Sequence, residues 1–132
     1  MKTTKLLTLC LFLFASTLVA KGQADKPQTN SPVISFEKLE HDYGTIKKGS
    51  DGTCEFVFKN TGKEPLILSN VKSSCGCTVP TWPKDPIIPG QNGVIKVVYD
   101  TKKVGTISKT ITVISNAEVG VVTLSIKGNV TE

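Results

Sequence analysis

The amino-acid sequence predicts an all-β fold, an immunoglobulin-like sandwich of about seven antiparallel strands. Three observations predict it. Apolar residues recur with a period of two from Ile34 onward, in runs rich in Val, Ile, Thr and Phe. Clusters of Gly, Pro, Asn and Asp interrupt those runs at short intervals. No apolar stripe with helical spacing occurs, so nothing supplies the crossovers that a parallel β-α-β sheet requires.

Taken in order, Ile34 and Phe36 begin the alternation. Cys54, Phe56 and Phe58 share one side of a strand whose other side carries Glu55, Val57 and Lys59. Leu66 and Leu68 share a face of the next. Ile95, Val97 and Tyr99 define another, followed by Ile107, Lys109, Ile111 and Val113, and then by Val122, Leu124 and Ile126. The punctuation is Lys48-Gly49-Ser50-Asp51-Gly52, Asn60-Thr61-Gly62, Pro89-Gly90-Gln91-Asn92-Gly93 and Ser115-Asn116.

The N-terminus predicts export. Lys2 and Lys5 precede an uncharged apolar run from Leu6 to Ala20, the layout of a secretory signal peptide. That run falls short of the roughly 20 residues that cross a bilayer as a helix, so no stable membrane insertion is expected after cleavage. Gly22 and Ala24 place the cut near Asp25, which makes residues 1–24 the signal and the protein periplasmic or secreted. Cys10 follows Leu9 rather than a small residue and stands close to Lys5, so it reads as part of the discarded peptide and not as a lipid attachment point. Residues 25–32, with two prolines and no large apolar side chain, read as a flexible leader. The domain proper is then 33–132. About 108 of the 132 residues remain after cleavage, enough for one core and too few for two.

Charge narrows the function classes. The chain carries +5, but Lys2, Lys5 and Lys21 leave with the signal, so the mature charge is about +2. Every strongly basic residue is Lys and none is Arg, which removes the usual bidentate reader of phosphate and guanine edges. A nucleic-acid partner is therefore not expected.

Reactive side chains cluster only at Ser73-Ser74-Cys75-Gly76-Cys77-Thr78. With Cys54 they give three thiols in the mature chain and three open readings. The first is a disulfide among Cys54, Cys75 and Cys77. If Cys75 and Cys77 lie in an extended strand, their Cα atoms stand about 6.6 Å apart with parallel Cβ vectors, which disfavours a bond between them unless Gly76 turns the backbone. A cross-strand bridge from Cys54 to either is sterically reasonable. The second is a soft-metal site for Cu(I) or Zn²⁺ formed by Cys75, Cys77 and Cys54, although no His or second cysteine pair completes four ligands. The third treats the cysteines as small core residues, which suits Cys54 best.

His41 and Asp42 are adjacent, but successive strand residues point to opposite faces, so they do not make a catalytic dyad. Trp82, in Pro80-Thr81-Trp82-Pro83, either anchors a partner as a rigid aromatic or closes the sandwich over its core. Asn129-Val130-Thr131 matches the glycosylation triplet, a short motif that matters only in a host with that machinery.

One constellation runs through most of the chain. His41-Asp42-Tyr43-Gly44, Phe58-Lys59-Asn60-Thr61-Gly62 with Pro65-Leu66, Ser74-Cys75-Gly76-Cys77-Thr78, Ile88-Pro89-Gly90, Gly105 and Ser115-Asn116 follow each other in the order of the bacterial domain-of-unknown-function family 1573. The sequence resembles that family from about residue 36 to 130. The resemblance implies a secreted or periplasmic immunoglobulin-like domain of the Bacteroidota type with no assigned activity. It places the family's signature pair on Cys75 and Cys77, while Cys54 stands outside the pattern.

These readings lead to one functional expectation: a non-enzymatic module of the cell envelope, without cofactor, that binds a protein or glycan partner. The alternative is a thiol site, metal-binding or redox-active, at Cys75 and Cys77.

Overall fold

The computed structural model describes residues 30–132. The signal segment, Cys10 and all but the last residues of the leader lie outside the described residues. Eight strands follow in order: β1 (Ile34–Phe36), β2 (Glu40–Lys47), β3 (Thr53–Asn60), β4 (Leu68–Ser73), β5 (Thr78–Thr81), β6 (Asn92–Tyr99), β7 (Gly105–Ser115) and β8 (Val121–Thr131). They form two four-stranded sheets, β1-β3-β6-β5 and β2-β8-β7-β4. This is the two-sheet arrangement of an immunoglobulin-like domain.

Eight strands replace the expected seven because the first strand is divided between the sheets. β1 pairs antiparallel with β3; the chain then crosses at Glu37–Leu39, and β2 joins the other sheet. Both halves of the crossing are tied, by Glu37 N donating to Val57 O and Ser125 N to Leu39 O. The expectation of purely antiparallel pairing also needs one correction, since β2 runs parallel to β8. First and last strands that lie side by side in one sheet enter it from the same end. Leu66 is a second adjustment: it makes an isolated bridge with Ile87 and β4 begins at Leu68, yet both leucines are buried as their shared face required.

The strand faces follow the alternation. Phe56, Phe58, Ile95 and Val97 from one sheet meet Ile107, Ile111, Leu124 and Ile126 from the other, each no more than 1% exposed. Burying a side chain of this size contributes about 1.5–3 kcal/mol. The Phe58 ring lies directly over Gly93, where any side chain would collide with it.

One end of the sandwich is closed by two asparagines. Asn60 continues the inward phase of Cys54, Phe56 and Phe58 and is fully buried. Its Nδ2 donates to Glu64 O and Ile87 O at 2.7 and 2.8 Å, and its Oδ1 accepts from Gly62 N and Val33 N at 3.0 and 3.4 Å. All the hydrogen-bonding capacity of the amide is used, which a buried polar group requires. Asn116 acts likewise from the β7–β8 turn, accepting from Ile67 N at 2.7 Å and donating to Pro65 O at 3.1 Å. Gly62 packs so tightly that a Cβ would overlap the Ser31 carbonyl and the Val33 nitrogen. Ser31 and Pro32, at the end of the leader segment, are already part of this packing, and Pro32 O accepts from Glu118 N at 3.0 Å.

Candidate functional site

The opposite end is formed by the β2–β3, β4–β5 and β6–β7 loops. There Cys75 and Cys77 occupy the turn between β4 and β5, not a strand. The two cysteines are joined by a disulfide, with Cα atoms 5.4 Å apart. The extended-strand geometry that disfavoured this bond does not apply, because the backbone turns at Gly76 and brings the Cβ vectors together. The turn is held from both sides. The Ser73 hydroxyl reaches the Cys75 and Thr78 carbonyls at 2.5 and 2.6 Å, Ser74 N donates to Thr110 O at 2.9 Å, and Asp100 N donates to Cys77 O at 2.8 Å. Around the sulfurs, Cys77 N donates to Cys75 Sγ at 3.3 Å, and Thr78 Oγ1 stands 3.8 Å from each Sγ. Both cysteines are half-buried.

Cys54 is not brought to the pair. It points inward from β3, 5% exposed, and remains a free thiol. Its sulfur hydrogen-bonds the Tyr43 hydroxyl, which itself donates to Gly52 O at 2.6 Å. Burial pushes the Cys54 thiol upward, only partly offset by Tyr43 and Lys38, so it stays protonated at neutral pH. Burial likewise raises Tyr43 well above the ordinary phenol range. Neither the cross-strand bridge nor the three-thiol metal arrangement is therefore assembled. Among the described residues no group of three or more His, Cys, Asp or Glu side chains is placed to hold a metal ion.

A groove of about 530 Å³ opens beside the disulfide. Its walls come from Gly49–Gly52, from Gly76 and Cys77, and from Asp100–Lys102, with Val79, Val98 and Tyr99 along its floor. Val79 and Val98 are cross-strand partners on β5 and β6, 59% and 41% exposed, while Tyr99 is 6% exposed. Asp51, Asp100 and Lys102 supply the charge. Hydrogen bonds from Thr53 hold the Asp51 carboxyl below its usual range. A second depression of about 360 Å³, between β1 and β3, is lined by Phe36, Val57 and Lys59 among others and holds no cysteine.

The other sequence candidates lie elsewhere. Trp82, just past β5, is partly buried against the core, with Lys84 Nζ 3.0 Å from its ring centroid. Its Nε1 is buried without a partner in the structure. The Lys84 ammonium lies over the ring, and the residue packs against the core. His41 Nδ1 is 2.9 Å from Lys38 Nζ, and its ring meets Tyr43 edge-on at 4.6 Å. Asp42 turns back to accept from Gly44 N at 2.8 Å, so the neighbours form no dyad. Burial first, and the Lys38 charge second, lower His41 from its ordinary value of 6.5.

The groove itself was not legible in the sequence, because its walls come from three loops distant along the chain. Tyr43 and Asn60 were missed as structural side chains. For Asn60 a signal existed: the inward alternation of β3 runs straight through it.

The family described as protein of unknown function (DUF1573) matches residues 34–130. The chain belongs to that family. No curated protein matches it in sequence. Among solved structures it is similar to a protein of unknown function from Porphyromonas gingivalis W83, at 18% identity and a TM-score of 0.68, over 76% of this chain and 49% of that one. It is similar to the secreted serine protease VesC of Vibrio cholerae, at 14% identity and a TM-score of 0.57, over 74% of this chain and 23% of the protease. It also resembles the ASH or PapD-like domain of human CEP192, at 10% identity and a TM-score of 0.65, over 81% of this chain and 92% of that domain. The chain thus spans about half the Porphyromonas protein and under a quarter of the protease. Identities this low establish a shared immunoglobulin-like, PapD-like fold, a scaffold that carries unrelated functions. Among the described residues no helix is long and apolar enough to cross a membrane.

Proposed function

We propose that this protein is an exported, non-enzymatic binding module of the cell envelope, periplasmic or secreted, that takes an extended segment of a partner protein into the groove beside the Cys75–Cys77 turn. The observation that carries the reading is the pairing of exposed Val79 and Val98 along a concave surface of about 530 Å³, walled by three loops on a rigid sandwich. Loops held by a packed scaffold are where such domains place recognition. Exposed apolar side chains rimmed by charge suit a peptide chain, whose apolar side chains cover the valines while Asp51, Asp100 and Lys102 meet its polar groups. A glycan is less well served. Sugar rings are held on open aromatic faces, and the only aromatic in this groove is the buried Tyr99.

The other exposed valines favour this choice. Val94, Val104, Val119 and Val121 are also exposed, at 38%, 47%, 66% and 57%, but none of them lines the groove beside the disulfide. Export rests on the N-terminal pattern of Lys2, Lys5 and the run from Leu6 to Ala20.

The test is a selection of random peptides on the purified mature protein, followed by binding to a Val79→Lys/Val98→Lys variant. Selected peptides are expected to lose at least about tenfold in affinity, as when a central apolar contact is removed. Peptides that bind the variant equally well would place recognition elsewhere. Mass spectrometry of the protein from its native compartment is expected to find an N-terminus near Asp25.

A further inference from the structure

The Cys75–Cys77 disulfide has the surroundings of a reactive bond rather than a structural staple. It closes a loop with one residue between its ends, so it restrains the unfolded chain far less than a bridge between distant strands does. It joins no two elements that β-pairing and the Ser73, Ser74 and Asp100 hydrogen bonds do not already hold. It sits in a half-buried turn at the loop end, not in the core. The two sulfurs also differ. Cys77 lines the groove, while Cys75 Sγ accepts the Cys77 N–H at 3.3 Å. Cys77 thus borders the space an incoming chain would take, and Cys75 Sγ has a donor ready for the charge that a leaving thiolate carries.

We infer that Cys75–Cys77 is a thiol–disulfide exchange site whose substrate is a cysteine dithiol on the segment seated in the groove. The inference deepens the groove reading, from which it takes its substrate. A partner thiolate attacks Cys77 Sγ; the new bond joins partner sulfur to Cys77, the Cys75–Cys77 bond breaks, and its electron pair leaves on Cys75 Sγ. The Cys77 N–H and the Thr78 hydroxyl stand beside that thiolate. The partner's second thiol, deprotonated, then attacks the partner sulfur of the mixed disulfide and expels Cys77. The partner ends oxidised to a disulfide, Cys75 and Cys77 end reduced, and the protons released by the partner thiols are taken up by the two new thiolates. One protein disulfide is exchanged for one partner disulfide, with no other reactant. Cys54, a free thiol buried on the inner face of β3, takes no part.

The probe is reduced glutathione, a cysteine tripeptide, added to the folded mature protein without denaturant and followed by quenched mass spectrometry. The expected result is reduction of Cys75 and Cys77 in the native state, with the transient adduct on Cys77 exceeding that on Cys75 by about tenfold, while Cys54 stays unmodified. A pair that is reduced only after unfolding, or an adduct mainly on Cys75, would overturn the assignment. The wild-type protein decides the matter even if variants misfold. Where they fold, Cys75→Ser is expected to capture oxidised glutathione about tenfold faster than Cys77→Ser, and equal rates would count against it. The Val79→Lys/Val98→Lys variant separates the two proposals. Peptide affinity unchanged in that variant removes the groove reading and leaves the sulfur assignment standing; peptide affinity lost in that variant, with a wild-type disulfide that glutathione does not reduce in the native state, removes this inference alone.

Discussion

The two ends of the sandwich are built on opposite principles. At the end closed by Asn60 and Asn116, the buried Asn60 amide is fully matched, the exposed Asn116 ties Ile67 N and Pro65 O, and Gly62 leaves no room for one more carbon. At the end with the Cys75–Cys77 turn, the loops are exposed, a groove remains open, and a Cβ added at Gly76 would meet nothing within 4 Å. The sequence spends similar turn residues on both: Asn60-Thr61-Gly62 at one, Cys75-Gly76-Cys77 at the other. What separates them is whether the turn's polar atoms face the core or the solvent. The closed end fixes the fold, and the open end is free to carry function.

Substitutions can break that contrast, starting with Asn60. Asn60→Ala removes four hydrogen bonds at a fully buried position and takes their partner from Val33 N, Gly62 N and Glu64 O, while Ile87 O keeps Leu66 N, so a loss of about 3–4 kcal/mol is expected in chemical denaturation. Gly62→Ala follows with about 2–3 kcal/mol, because backbone rather than a flexible side chain blocks the new methyl. At the open end, the Cys75→Ser/Cys77→Ser double variant is expected to lose only about 1–2 kcal/mol, as a very short closed loop implies. Gly76→Ala is expected to stay within about 0.5 kcal/mol of the parent. Equal costs at Gly62 and Gly76 would erase the distinction.

The smallest effect concerns pH. His41 is held below its ordinary value of 6.5 by burial and by the Lys38 ammonium, whose proton its Nδ1 accepts when neutral. The folded form therefore favours neutral His41. Its contribution to stability is present above the ordinary histidine pKa and is lost as pH falls through the lowered one. An NMR titration is expected to find the His41 midpoint below 6.5, and Lys38→Met is expected to move it upward. A midpoint unchanged by that substitution would assign the whole shift to burial.

Much of the fold was legible because burial writes itself as alternation. Cys54, Phe56 and Phe58, then Ile95, Val97 and Tyr99, lie inward as their period required. The division of the first strand was not legible, since crossing from one sheet to the other at Glu37–Leu39 depends on pairing with Val57 and Ser125, far along the chain. The parallel β2–β8 register has the same long-range origin. The cysteine turn was misread for a local reason. Strand-like residues flank it on both sides, and one glycine between two cysteines signals a turn only weakly until the neighbouring strands fix where β4 stops. The groove is a purely tertiary object, and no window of sequence contains it.

The most direct test of the account is amide NMR mapping of a selected peptide on the isotopically labelled mature protein. Perturbations are expected at Val79, Val98, Asp100 and Lys102 and around Cys77, with Asn60, Gly62 and Asn116 unmoved. Perturbations centred on the asparagine end, with the groove residues silent, would contradict it.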